Sequence, residues 1–236
     1  MVVNFLGADR SELEGEGLHP VGTLEEAAHC AVALDKGETP TFVSAEVEDE
    51  TLCKRASELA KQLQPGQKHL RGLYTGGTFC YETQLLLQDH LPELFSNGPT
   101  GKVRELDNPF ASQGHTVVDL GDDVFTRGRP HPMIDPTPRN ERIMQDATDP
   151  ETAVVLLDVV LGHGSNEDPA GELAKAIADT RKAATTTPVF IASVCGTEAD
   201  PQNLAEQRAK LEEQGVALCS SNAEAAILAL LVTKRS

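Results

Sequence analysis

His69-Leu70-Arg71-Gly72-Leu73-Tyr74-Thr75-Gly76-Gly77-Thr78-Phe79-Cys80-Tyr81-Glu82 decides how this chain folds. The short apolar run Leu70 to Tyr74 stops at a pair of glycines. A helical pattern starts at once, with Phe79, Leu86, Leu87, Leu91 and Leu94 on one face, and predicts a helix from Phe79 to about Phe95. The stretch therefore reads as strand, tight turn, helix. Thr75 or Thr78 can act as N-cap. Gly76 and Gly77 leave the backbone bare, so an anion can touch N–H groups where the helix begins. The same glycines also suit a plain tight turn.

Working outward, strands and helices alternate to the end of the chain. Residues 96–114 are rich in Asn, Gly and Pro and read as a long surface loop. His115 to Gly121 is a second strand, and a polar segment through Pro138 leads to a helix near Asn140–Ala147. Ala153 to Val160 is nearly all apolar, as a central parallel strand should be. Helix Pro169–Ala184, strand Pro188–Val194, helix Pro201–Gln214, strand Val216–Cys219 and helix Asn222–Lys234 complete the series. Five such units imply an α/β fold, an open parallel sheet with helices on both faces.

Before this region the pattern differs. Val2 to Gly7 can be an edge strand, and residues 8–20, acidic and glycine-rich, read as a loop. Thr23-Leu24-Glu25-Glu26 is a capping box that starts a helix with Leu24, Ala27, Ala28 and Ala31 on one face. A second helix, about Asp49 to Leu63, ends at Gln64-Pro65-Gly66. Residues 1–66 are thus expected to form a small, mainly helical, linker-type N-terminal segment, and residues 67–236 the main domain.

Composition narrows the function. The chain has 236 residues, with 20 basic and 37 acidic side chains and a formal charge of −17. It has no basic run, so nucleic acid and anionic membranes are poor partners. No stretch reaches the ~20 apolar residues of a membrane helix, and Met1 to Phe5 carries no charged leader. The cysteines, Cys30, Cys53, Cys80, Cys195 and Cys219, show no metal or redox spacing and read as reduced thiols of a cytoplasmic protein. No metal is expected.

In an open parallel sheet the ligand lies beyond the carboxyl ends of the strands. Polar or glycine-rich groups stand at every such end: Thr75 to Thr78, Gly121-Asp122-Asp123, Gly162 to Ser165, Cys195-Gly196-Thr197 and Ser220-Ser221-Asn222. The densest segment runs from Asp119 to Pro136. Its prolines stiffen it, and a rigid polar loop suits substrate positioning. Arg129 can fork onto a carboxylate or phosphate, and His131 can move a proton or act as a neutral donor. Asp122 joins them as a candidate, although Asp122, Asp123, Arg127 and Arg129 can also simply pair with one another. The paired acids and Asp158 resemble a phospho-receiver site. That design needs a lysine where Cys219-Ser220-Ser221 stands, and its acids follow the first strand rather than the second. His115 and His163 read as structural.

The stretches Gly72 to Thr78, Asp119 to Pro136, Leu157 to Gly162, Ala192 to Thr197 and Ser220 to Ala223, together with Val2 to Gly7, resemble the FdrA family, relatives of the α subunit of ADP-forming succinyl-CoA synthetase. The resemblance spans nearly the whole chain. It implies flavodoxin-like topology and a succinyl-CoA-synthetase-like, ligase-type domain at residues 67–236. Family members are usually longer and carry an N-terminal CoA-binding-type domain. The expectation is therefore a split subunit or a cut piece that works with other subunits and reaches CoA only through that domain. The synthetase holds its phosphohistidine in a Gly-His-Ala-Gly loop, where this chain has Cys195 to Asp200 and no histidine. The phosphate cradle at Thr75, Gly76, Gly77 and Thr78 is kept. FdrA proteins are subunits of oxamate carbamoyltransferase, linked to purine and allantoin breakdown. The resemblance thus implies phosphate or carbamoyl phosphate on Thr75–Thr78, with Gly196, Thr197, Ser221 and Asn222 as further binding residues. Catalytic duties fall to His131, Arg129 and Asp122, with Arg129 on a carboxylate. The rivals are an acyl-CoA synthetase-like ligase subunit and a non-catalytic assembly module.

Overall fold

The computed structural model describes residues 1–13, 15–40 and 44–235. The main sheet contains seven parallel strands: β3 (His69–Tyr74), β4 (Leu94–Ser96), β5 (Arg104–Glu105), β6 (His115–Asp119), β7 (Thr152–Val160), β8 (Val189–Cys195) and β9 (Ala217–Cys219). Their order is β5-β4-β6-β3-β7-β8-β9. The five long-expected strands stand as second, first, third, fourth and fifth. This is the flavodoxin-like order, whose switch point falls between β3 and β7.

Side-chain alternation divides the core into two layers. Leu70, Tyr74, Val154, Leu156, Val189 and Ile191 point to one face, against α3 (Gly77–Leu87) and α8 (Asn222–Thr233). Leu73, Val155, Leu157, Phe190 and Ala192 point to the other, against α5 (Thr137–Ala147), α6 (Pro169–Ala183) and α7 (Leu204–Glu213). α8 is buried nearly all round because α2 (Glu50–Ala60) covers its outer side with Leu52 and Ala56. Arg55 of α2 also reaches the Leu218 carbonyl at 2.6 Å and Glu224 at 3.1 Å.

Four expectations change. α3 ends at Leu87, not near Phe95, because Leu91 precedes Pro92 and is barred from continuing the helix. The apolar residues beyond it, Leu94 and Phe95, instead form β4 beside β6. The stretch 96–114 is correspondingly not all loop, since β5 extends the sheet there. At the front, β1 (Val2–Asn4) pairs with β2 (His19–Val21) in a separate two-stranded parallel sheet. Residues 8–20 thus contain a 3-10 turn at Arg10–Leu13 and part of a strand, while Glu14 lies outside the described residues. α1 (Leu24–Asp35) keeps its expected cap, Thr23 accepting from Glu26 N–H, but it buries Glu26 and Cys30 and leaves Ala28 and Ala31 exposed. Glu26 goes inward because its carboxylate takes Arg10 and the Gly22 N–H. Among the described residues no helix is long and apolar enough to cross a membrane.

Candidate functional site

The switch point is built around Asp158, a lone acid in β7, which past Thr152 is otherwise apolar. Its two carboxylate oxygens accept the Thr75 N–H at 2.9 Å and the Thr75 hydroxyl. Arg139 of α5 lies 3.5 Å from the same carboxylate and donates to the Asp158 carbonyl at 2.6 Å. Arg139 is 2% exposed and Asp158 1%. A charge this deep needs a partner, and here a buried ion pair ties α5, β7 and the turn after β3 together.

With Thr75 held by Asp158, the cap of α3 passes to Gly76, and no side chain caps the helix. This corrects the expectation that Thr75 or Thr78 supplies the cap; Thr78 is exposed in the first turn. An uncapped helix start presents free N–H groups and the positive end of the helix dipole. The N–H groups of Gly76, Gly77 and Thr78 therefore form an open cradle of backbone donors, anchored by Thr75, whose own N–H is spent on Asp158.

Asp119, at the end of β6, stands beside it. A Cβ placed on Gly77 would lie 3.0 Å from Asp119 Oδ2. Asp119 Oδ1 accepts the Gly121 N–H at 2.8 Å, and Asn97 brackets the Asp119 backbone. Burial pushes the Asp119 carboxyl above the ordinary aspartate range, the Gly121 N–H opposes that shift, and Asp122 and Asp158 add to it. The sequence identified the segment but not this residue as the neighbour of the cradle.

The loop after β6 folds back over the turn. Gly121 is the point of closest approach: a Cβ there would meet His131 Nε2 at 2.6 Å and the Thr75 carbonyl at 2.8 Å. Only glycine fits. His131 Nδ1 accepts the Met133 N–H at 3.3 Å, which leaves the neutral ring's proton on Nε2, the nitrogen facing the turn. Met133 Cε is 3.3 Å from a Cβ built on Gly76. The loop after β7 joins them, since Asn166 N–H donates to the Met133 carbonyl at 2.7 Å.

The structure thus brings together Thr75, Gly76, Gly77, Thr78 and His131. It separates the others. Asp122 caps the short helix α4 (Asp123–Thr126), accepting from Val124 N–H at 2.9 Å. Arg129 is exposed and lines a different cavity of about 340 Å³ with Arg127, Glu141, Phe110 and Phe125. Thr197 N–H is taken by Asp200 at 2.6 Å, and Gly196 lies tight against Leu161. Ser221 caps α8. Asn222 is buried and donates to Glu82 at 2.8 Å, to Thr83 and to the Phe79 carbonyl, which locks α8 to α3. His115 accepts the Leu70 N–H and is structural, as expected.

Sequence reasoning missed Arg139 and weighed Asp158 only as a receiver-type acid, not as the holder of Thr75. A signal for Asp158 was present: a carboxylate inside a run such as Ala153 to Val160 is tolerated only if paired.

Comparison with known proteins adds the following. Residues 73–232 match the CoA-ligase family. The uncharacterized protein YahF of Escherichia coli strain K12 is 36% identical over 232 residues, covering 97% of this chain and 44% of YahF. The crystal structure of PH0766 from Pyrococcus horikoshii OT3 superposes with a TM-score of 0.44 at 10% identity, over 92% of this chain and 46% of that one. This chain spans less than half the length of either.

Proposed function

This chain belongs to the CoA-ligase family, and from that premise we propose that it is an FdrA-type enzyme subunit that binds phosphate or carbamoyl phosphate at the start of α3. The observation that carries the proposal is the uncapped helix start at the switch point, with the Nε2 face of His131 beside it. In carbamoyl transfer to oxamate, the oxamate nitrogen attacks the carbamoyl carbon, the bond from that carbon to the phosphate oxygen breaks, and inorganic phosphate leaves with the proton that the nitrogen loses. Backbone N–H groups of the α3 start hold the phosphoryl oxygens. Nε2–H of neutral His131 donates to the oxygen that gains charge. Arg129, expected on the oxamate carboxylate, opens with Arg127 into a separate cavity and has no part in this step. Purine or allantoin catabolism in the cytoplasm is the setting this reading gives. Further subunits of the enzyme, one bearing a CoA-binding-type domain, are its partners.

The family match itself favours a second reading, an acyl-CoA synthetase-like ligase subunit. Against it, the turn after β8 offers Cys195 to Asp200 and no histidine to phosphorylate. A non-catalytic assembly module is the remaining reading. Turnover assays with candidate partner subunits, supplied either with CoA and nucleotide or with oxamate and carbamoyl phosphate, distinguish all three.

Calorimetric titration of the chain with carbamoyl phosphate and with inorganic phosphate tests the proposal directly. Saturable binding that is lost in Gly77→Val is expected, with circular dichroism confirming that the variant folds. Absence of binding to the unmodified chain, or unaltered binding in a folded Gly77→Val, refutes it.

A further inference from the structure

A second cavity, of about 180 Å³, opens at the same edge of the sheet, between α1, α3 and the ends of β8 and β9. It is slightly larger than an engineered cavity of about 150 Å³ that takes benzene. Ser193, on β8, lines it. Ser193 is 4% exposed, and its hydroxyl makes no hydrogen bond among the described residues. The hydroxyl is reached from the cavity and has no protein partner among the described residues, so it is free to pair with a ligand there.

The remaining wall sets the chemistry of that partner. Glu82 contributes a carboxylate held in place by the Leu24 N–H at 2.7 Å and by Asn222 at 2.8 Å. Each of its oxygens keeps a free lone pair. Glu25, Ser221 and the exposed thiol of Cys195 add further acceptors. Among the described residues no lysine, arginine or histidine lines the cavity. An anion would meet two carboxylates and no positive side chain. Phe79, Leu24 and Val194 supply an apolar side.

We propose that this cavity is a binding subsite for a small ligand that presents N–H donors, a primary amide or an ammonium, on a short carbon body, with Ser193 and Glu82 as its acceptors. The site is distinct from the α3 start, and failure of phosphate binding there would leave it standing. Asn222, anchored to α3, orients Glu82 without needing to touch the ligand.

The test titrates the full chain with propionamide, n-propylammonium and propionate, following the backbone amide resonances of Ser193, Cys195 and Ser221. Saturable millimolar shifts with the amide or the ammonium, and none with propionate, are expected. Ser193→Ala removes an unpaired hydroxyl, so it should fold at least as well as the parent. It should weaken the donor ligand by about threefold to tenfold, the worth of one neutral hydrogen bond. Ala28→Leu, on the α1 wall, should obstruct the cavity, and its Tm reports that it folds. The proposal falls if neither donor saturates, if propionate binds as well as they do, or if Ser193→Ala leaves the donor's affinity unchanged.

Discussion

Replacing Asp158 by asparagine keeps the shape of the switch point and removes its charge. The Thr75 N–H retains an oxygen to donate to, and the Thr75 hydroxyl can rotate to accept from the new amide. Arg139 fares worse. It loses its only carboxylate partner among the described residues and keeps only the Asp158 carbonyl at 2.6 Å. Breaking a buried pair by removing one member costs about 3–5 kcal/mol, because the surviving charge stays buried alone. The retained carbonyl bond places Asp158→Asn at the low end, about 3 kcal/mol. For a chain of this size that lowers Tm by about 6–12 °C. Arg139→Met should cost less, about 1–2 kcal/mol, since the Asp158 carboxylate keeps both Thr75 donors. The double variant should then be more stable than the sum of the singles implies, by at least about 1 kcal/mol. Urea unfolding at pH 7, with m unchanged across the set, measures all three. A loss below about 1 kcal/mol for Asp158→Asn, or additivity within about 0.5 kcal/mol, refutes the idea that this pair fastens the turn to the sheet.

Three further outcomes follow from the same geometry. Asp119→Asn removes a negative charge beside the Gly77 backbone and should tighten phosphate binding at least about tenfold in calorimetry; equal or weaker binding would place the anion elsewhere. Burial, aided by His69 and Arg71, lowers the His115 pKa to about 4 from 6.5. The folded chain therefore binds fewer protons than the unfolded one between those values, so His115's contribution is complete above about pH 6.5 and is lost as pH falls toward 4. The full shift would be worth about 3 kcal/mol, and partial solvent screening reduces it to on the order of 1–2 kcal/mol. His115→Asn should flatten that part of the stability–pH curve, and an unchanged slope would contradict the assignment. Gly196→Ala should destabilise by about 1–3 kcal/mol in the same urea assay, because its Cβ would sit 2.7 Å from Leu161 Cβ; a neutral result would mean that the end of β8 yields freely.

Much of this protein could be read from residue order alone. Apolar runs broken by glycine and followed by 3.6-residue periodicity gave five of the seven main strands and the helices between them, because strand and helix periods are local properties of the chain. The alternation of strand and helix then dictated a parallel sheet with ligand-facing loops at one edge. The short strands β4 and β5 escaped. Two or three residues show no period, and β4 is a strand only because β6 lies beside it.

The chemistry was legible only as a set of candidates. Sequence could name Thr75, Gly76, Gly77 and His131, but it could not show that the ring of His131 meets the turn over Gly121 while Arg129 opens into another cavity. It could not see that Asp158, read as a failed receiver acid, holds Thr75 and thereby leaves the helix start to glycine. Nor could it show that Asn222 is spent between two helices while the unremarked Ser193 is left open to a cavity. Periodicity along the chain fixes which face a side chain points to. Which partners it finds there depends on residues tens of positions away, and those distances close only when the sheet assembles.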